Sequence, residues 1–323
     1  MALVDADEAM LEETRTFNAA VEELLAKAPS VHTVDPAESR AARAEGRGTF
    51  PAPVVVDQGH DRTITGPAGN DIGLRTFVPP GDVRGVYLHI HGGGWVLGSS
   101  HLQDVALWRL AAEASVAVVS VDYRLAPEHP FPAGPNDCEA AARWLIDSAA
   151  QEYGADAADR LLIGGESAGA HLAALTLLRL RDANGTVEPF VAANLVFGAF
   201  DLSMTPSQRR WGNRNLILST PIMAWFYDCF LPDLSAEERR APEVSPLYAD
   251  LSGMPPALFS VGAMDPLIDD SLFMAARWAM AGAEADLRVY PEAVHGFNAF
   301  PLGVARMCNE AQWAFLRQGV SPS

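Results

Sequence analysis

The stretch LLIGGESAGAHLAAL, residues 161–175, decides the fold. Three apolar residues lead into Gly164-Gly165-Glu166-Ser167-Ala168-Gly169, and the chain then turns alanine- and leucine-rich. The first part has the texture of a buried strand and the last that of a helix, so Ser167 falls on the turn between them. Two readings compete there. One is a nucleophile held on a tight turn; the other is an ordinary glycine-rich connection.

Outward from this point the same texture repeats. Short apolar strands are expected at GVYLHI (85–90), VAVVSVDY (116–123), LLIGG (161–165), VAANLVF (191–197), ALFSVG (257–262) and ADLRVY (285–290). Segments with helical periodicity lie between them at 104–114, 137–149, 168–181 and 271–281. Continuous Val/Ile/Leu strands alternating with helices imply one α/β domain, a mostly parallel sheet covered on both faces. Ahead of it, APVVVDQ (52–58) and IGLRTFVPP (72–80) read as two strands making an antiparallel start to the sheet. Residues 5–26 read as an amphipathic helix, with Met10, Phe17, Val21, Leu24 and Leu25 among glutamates and Pro29 beyond its end. Residues 36–52 are charged and Ala/Gly-rich, a second weak helix or a mobile segment. The roughly sixty residues between the strands ending at 197 and starting at 257 exceed a simple crossover. They carry Trp211, Trp225, Phe226, Tyr227 and Phe230, which suits a cap over the C-terminal edge of the sheet, where open α/β sheets bind ligands.

The chain has 323 residues, 41 acidic and 23 basic, for a formal net charge of −18, and Lys27 is its only lysine. That balance argues against a nucleic-acid partner and against anionic membrane surfaces. No stretch approaches the roughly 20 uninterrupted apolar residues of a membrane span, and the acidic N-terminus lacks the pattern of a signal peptide. Cytoplasmic location is the expectation. Cys138, Cys229 and Cys308 are far apart and show no zinc-ligand spacing, and are expected to be buried free thiols.

A serine hydroxyl needs a base, and the base needs an orienting acid. On a strand–turn–helix of this type the order along the chain is serine, acid, histidine. Two histidines follow Ser167. His171 lies inside the helix that starts at the turn; His295, in YPEAVHGFNAF, follows the last strand, where a loop carries it over Ser167. Asp265 follows the strand at 257–262 and precedes His295 by 30 residues. Asp269 and Asp270 read instead as acids of a helix N-terminus, and Asp201 is a weaker competitor. Attack on a carbonyl also needs donors for the oxyanion. His91-Gly92-Gly93-Gly94 follows directly on a buried strand, and its unshielded N–H groups, with that of Ala168, would supply them. His89 and His91 share one face of their strand, a spacing seen in metal sites, but no further ligand follows, so no metal is expected. His91 is expected to pin the glycine loop, and His129 to be structural.

Together HGGGW (91–95), DYRLAPEHPFPA (122–133), GESAG (165–169), SPLYADL (245–251), DPLIDD (265–270) and HGF (295–297) resemble the hormone-sensitive-lipase-like family of α/β-hydrolases. That family includes many bacterial carboxylesterases. The resemblance spans about 70–300 and implies an α/β-hydrolase fold. It implies Ser167 as nucleophile, His295 as general base and acid, Asp265 as its orienter, and Gly93, Gly94 and Ala168 as oxyanion donors. It further implies N-terminal cap helices over 1–50, a catalytic domain over 51–323 and a cap insertion at about 203–240. Glu166 stands where many relatives carry aspartate. The expected activity is hydrolysis of short- to medium-chain carboxylic esters without a cofactor. An amide hydrolase such as an arylformamidase, or a ligand-binding receptor on the same scaffold, are the alternatives. The resemblance also allows a homodimer.

Overall fold

The structure is a computed structural model and describes residues 2–47 and 52–321. Its strands are β1 (Ala2–Leu3), β2 (Gly59–Thr65), β3 (Asp71–Phe77), β4 (Val86–Ile90), β5 (Ala117–Asp122), β6 (Leu161–Glu166), β7 (Phe190–Val196), β8 (Ala257–Met264) and β9 (Ala285–Val294). Its helices are α1 (Glu8–Lys27), α2 (Pro36–Ala44), α3 (Asp104–Ala114), α4 (Ala133–Tyr153), α5 (Ala155–Ala158), α6 (Ala168–Asn184), α7 (Pro206–Trp211), α8 (Thr220–Phe230), α9 (Ile268–Met280) and α10 (Gly303–Gly319). The strands form one sheet in the order β1-β9-β8-β7-β6-β4-β5-β3-β2. Pairing is parallel from β1 through β5, while β3 runs antiparallel to both β5 and β2. This is the α/β-hydrolase fold.

Alternation along the strands sends side chains to both faces. Tyr87, Val118 and Leu162 meet Leu107 and Leu110 of α3 and Leu316 of α10 on one side. Leu88, Val119 and Ile163 join the larger core with Leu145 of α4 and Leu172 of α6 on the other. Helix α6 is buried almost all round, from Ala168 to Leu178, as its unbroken alanine and leucine content requires of a helix enclosed by the fold. The order of crossovers fixes the site. After β4 the chain moves outward to β5, and after β6 it moves the other way to β7, so the crevice between β4 and β6 is a topological switch point.

Two expectations need correction. The first strand of the antiparallel pair is not 52–58 but Gly59–Thr65, paired to β3 from Gly59↔Phe77 to Thr65↔Asp71. Val54 and Val55 remain 65% and 60% exposed, outside the sheet. The strand that does pair is polar because it is an edge strand whose residues mostly face solvent. Of the three thiols, all free, Cys138 and Cys308 are buried as expected but Cys229 on α8 is only partly so. The second helix expected within 36–52 is α2, and residues 48–51 lie outside the described part.

Candidate active site

Ser167 follows β6 and caps the N-terminus of α6 with φ 56° and ψ −119°, a conformation costly for a residue with a Cβ. The turn is held by Ser167 N–H donating to Val196 O at 2.8 Å and His171 N–H donating to Ser167 O at 3.2 Å. Its flanking glycines have a steric reason. A Cβ on Gly165 or Gly169 would sit 2.0 or 1.9 Å from the carbonyl oxygen of Ile90, where the end of β4 passes against the turn. That close approach brings the loop after β4 beside Ser167.

His295 follows β9 and Asp265 follows β8, so both reach the same edge of the sheet as Ser167. The three side chains form one chain of hydrogen bonds. Ser167 Oγ lies 3.0 Å from His295 Nε2, and His295 Nδ1 lies 2.8 Å from Asp265 Oδ2. Asp265 is fully buried, and its other oxygen accepts the Leu267 N–H at 2.9 Å. That network assigns the proton of the imidazole to Nδ1 and leaves Nε2 to accept from the serine. Phe197 packs edge-on against the His295 ring, centroids 4.8 Å apart, and limits its rotation.

The glycine run turns sharply over the serine. Gly93 and Gly94 have φ of +122° and +62°, and a Cβ on Gly93 would meet Leu97 O at 2.2 Å. Among the described residues no acceptor takes the N–H of Gly93 or Gly94. The N–H of Ala168, first residue of α6, has no acceptor within its own helix either. His91 is buried behind this loop, stacked on Tyr123 at 4.3 Å, with its Nδ1–H donating to Gly92 O at 2.8 Å. Burial holds its pKa below the ordinary histidine value. It pins the loop, as expected.

His171 does not face Ser167. Its Nδ1 accepts from Trp95 Nε1–H at 3.1 Å and its Nε2–H donates to Val244 O at 2.7 Å, tying the glycine loop to the segment before β8. Burial lowers its pKa to about 4, so it stays neutral. Asp201 accepts from Ser203 and from the Tyr248 hydroxyl instead of a histidine. Asp269 accepts the Ser207 N–H at 2.7 Å, and Asp270, fully buried, accepts the N–H groups of Phe200 and Asp201 and so is more than a helix-terminal acid.

One cluster at the site escaped the sequence reading. Glu166, adjacent to Ser167, accepts from His89 Nε2 at 3.0 Å and from Gln103 Nε2 at 3.2 Å, while His89 Nδ1 lies 2.8 Å from Ser120 Oγ. Burial pushes the Glu166 carboxyl up, but His89, then Gln103 and His91, outweigh it and hold the group below its ordinary value. The cluster joins β4, β5 and the turn through side chains. Its sequence signals were the H-x-H pair, whose spacing occurs in metal sites although no metal is expected here, and Glu166, marked only as standing where many relatives carry aspartate. No group of three or more candidate metal ligands occurs among the described residues. A surface cavity of about 680 Å³ between α1 and α10 has Met10, Phe300 and Trp313 in its walls and none of the residues around Ser167. The site is therefore defined by its hydrogen bonds and turn geometry.

A family model for the alpha/beta hydrolase fold matches residues 87–299. The carboxylic ester hydrolase LipN of Mycobacterium tuberculosis is 38% identical over 274 residues, 81% of this chain and 71% of LipN. Ethyl acetate hydrolase of Pseudomonas putida is 32% identical over 243 residues, 73% of this chain and 74% of that protein. A hormone-sensitive lipase from a metagenome library superposes with a TM-score of 0.81 at 26% identity, covering 95% of this chain and 98% of the other. The chain thus belongs to the α/β-hydrolase fold family, as a carboxylic ester hydrolase related to the hormone-sensitive-lipase group.

Proposed function

We propose that the protein hydrolyses short- to medium-chain carboxylic esters through an acyl-enzyme on Ser167. The observation that carries this reading is the unbroken Asp265–His295–Ser167 hydrogen-bond chain on a strained strand-to-helix turn. His295 Nε2 takes the hydroxyl proton as Ser167 Oγ attacks the ester carbonyl. The oxyanion then lies against the N–H groups of Gly93, Gly94 and Ala168 at the positive end of α6. Protonated His295 hands its proton to the leaving alcohol, and water repeats the sequence on the acyl-enzyme. Asp265 keeps the imidazole in the required tautomer and stabilises its charged form. These steps draw only on the chain's own groups.

The preference for short acyl groups rests on what stands over the site. Phe226 of α8 lies against Gly94, where a Cβ would be 2.3 Å from its ring, and Trp95 stacks on Phe230 at 4.8 Å. Contacts between distant segments support a cap built from the N-terminal helices (1–50) and the insertion at about 203–240 over a catalytic domain of 51–323. Arg214 in the insertion pairs with Glu22 of α1 at 3.0 Å. Arg40 of α2 donates to Val96 O beside the glycine loop, and Asn18 of α1 donates to Glu292 O three residues before His295. The ethyl acetate hydrolase relative points the same way by its name.

Hydrolysis of p-nitrophenyl esters from acetate to palmitate tests the proposal, with Ser167→Ala alongside. kcat/KM should peak at short chains and fall by up to about a million-fold in the variant. Comparable turnover in a folded Ser167→Ala protein would overturn the assignment. Ester inactivity with the serine still labelled by an organophosphate would transfer the reading to amides.

A further inference from the structure

Away from Ser167, a second cavity of about 410 Å³ opens between the start of the insertion, the SPLYADL segment and α9. Three arginines line it: Arg209, Arg240 and Arg277. In this chain that is unexpected, because acids exceed bases by 18 and most other arginines are engaged by carboxylates. Here each guanidinium is steadied by a neutral acceptor. Arg209 Nη2 donates to Ser203 O at 2.9 Å, Arg240 Nε to Ser203 Oγ at 3.1 Å and Arg277 Nη2 to Ala249 O at 2.8 Å. Among the described residues none of the three makes an ion pair, and each keeps further N–H donors unused by these contacts.

One carboxylate, Asp201, shares the lining. It does not neutralise the arginines by contact. Its Oδ1 takes the Ser203 N–H and O–H at 2.8 and 2.6 Å, and its Oδ2 takes the Tyr248 hydroxyl at 2.9 Å. The Asp250 carboxyl, outside the lining, is held below its ordinary value first by hydrogen bonds from Ser252 and only then by Arg181 and Arg277, and among the described residues it makes no ion pair with Arg277. Among the lining residues three cations face one committed carboxylate, a local excess of positive charge on a negative molecule. Apart from Thr205 its remaining walls are mostly apolar: Met204, Pro206, buried Leu247 and the rings of Tyr248 and Phe273, which are exposed at 36% and 43%. Among the described residues neither ring stacks on another aromatic side chain.

We propose that this cavity is a binding site for an organic dianion carrying an aryl or similarly flat body, an aryl phosphate monoester or an aromatic dicarboxylate. The planar guanidinium fork matches both head groups, and the two rings take the apolar body. The residues named here do not include Ser167, His295 or Asp265, so ligand and ester would occupy separate sites.

The test is calorimetric titration of the full chain with phenyl phosphate, phthalate and inorganic phosphate. One saturable site per chain is expected for phenyl phosphate or phthalate, and the tighter of the two identifies the head group. Affinity should fall about tenfold or more in Arg240→Gln/Arg277→Gln, and Phe273→Ala should weaken the aryl ligands while leaving inorganic phosphate unchanged. All these positions are on the surface, so hydrolysis of p-nitrophenyl acetate should persist in each variant and certify its fold. Absence of saturable binding up to about 10 mM, equal affinity in the double arginine variant, or Phe273→Ala affecting all three anions alike would each overturn the proposal. The readout is binding, so it stands or falls independently of the esterase reading.

Discussion

At Asp265 two oxygens have two separate tasks: one accepts the Leu267 N–H at 2.9 Å, the other the His295 Nδ1–H at 2.8 Å. Asparagine has the same shape but only one acceptor. If its oxygen serves His295, its NH₂ opposes the Leu267 N–H; if its NH₂ faces His295, the imidazole must accept at Nδ1 and carry its proton on Nε2. That second arrangement removes the base from Ser167. Asp265→Asn should therefore lower kcat by about ten-thousand-fold at neutral pH with the fold intact. Steady-state kinetics on p-nitrophenyl acetate checks it, and a loss under tenfold would mean that His295 is oriented by something else. Ser167, Asp265 and His295 were legible because each sits in a local pattern, glycine-flanked turn or strand end. The Glu166–His89–Ser120 cluster was not, because no local pattern marks its three residues as partners and they meet only through the pairing of β4 with β5 and β6. Nothing in the identity of a lone glutamate announces such a contact.

Elements were legible where burial on both faces imposed an unbroken apolar run, so the parallel strands from β4 to β9 fell close to their expected positions. The edge escaped. Polar β2 lacks the alternation of a half-buried strand, and the valines before it misdirected the reading. Helix α10 also escaped, although Val304, Cys308, Ala311 and Leu316 carry helical spacing on its buried face. What anchors the misread edge is an ion pair. Arg75 of β3 is 4% exposed and Asp104, first residue of α3, is 1% exposed; they meet through two bonds of 2.6 and 3.2 Å. Arg75 also bonds Asp61 of β2 and Val56 O, so one guanidinium joins two strands, a helix and the segment before β2. Asp104→Ala strands a buried cation and should cost about 3–5 kcal/mol in urea unfolding. Replacing both partners together, Arg75→Met with Asp104→Leu, should recover much of that loss. A single variant as stable as the parent would show that water reaches Arg75.

Across the whole molecule, the join between the sheet, the insertion and α9 centres on Asp270, whose carboxyl is fully buried. One oxygen accepts the N–H groups of Phe200 and Asp201 at 2.8 and 2.9 Å; the other accepts from Thr205 Oγ1 and Gln208 Nε2 at 2.8 and 2.7 Å. Those four donors favour the ionised form, but burial outweighs them and pushes the pKa from 3.8 up to about 7. The folded chain therefore holds a proton that the unfolded chain has released between pH of about 4 and 7. Stability from this group is complete below the lower value, declines as pH rises through the window and is flat above the upper one. The full span is about 4 kcal/mol at most. Other carboxylates superimpose their own pH dependence, and at net charge −18 so does general self-repulsion, so the wild-type curve alone cannot isolate Asp270. Asp270→Asn can, because nearly everything else is shared between the two proteins. The difference in Tm, wild type minus variant, should shrink from pH 5 to pH 8 as the wild-type carboxyl is forced to ionise. If the two curves run parallel across that range, the four donors keep Asp270 ionised throughout, and the join between insertion and sheet is indifferent to pH in that range.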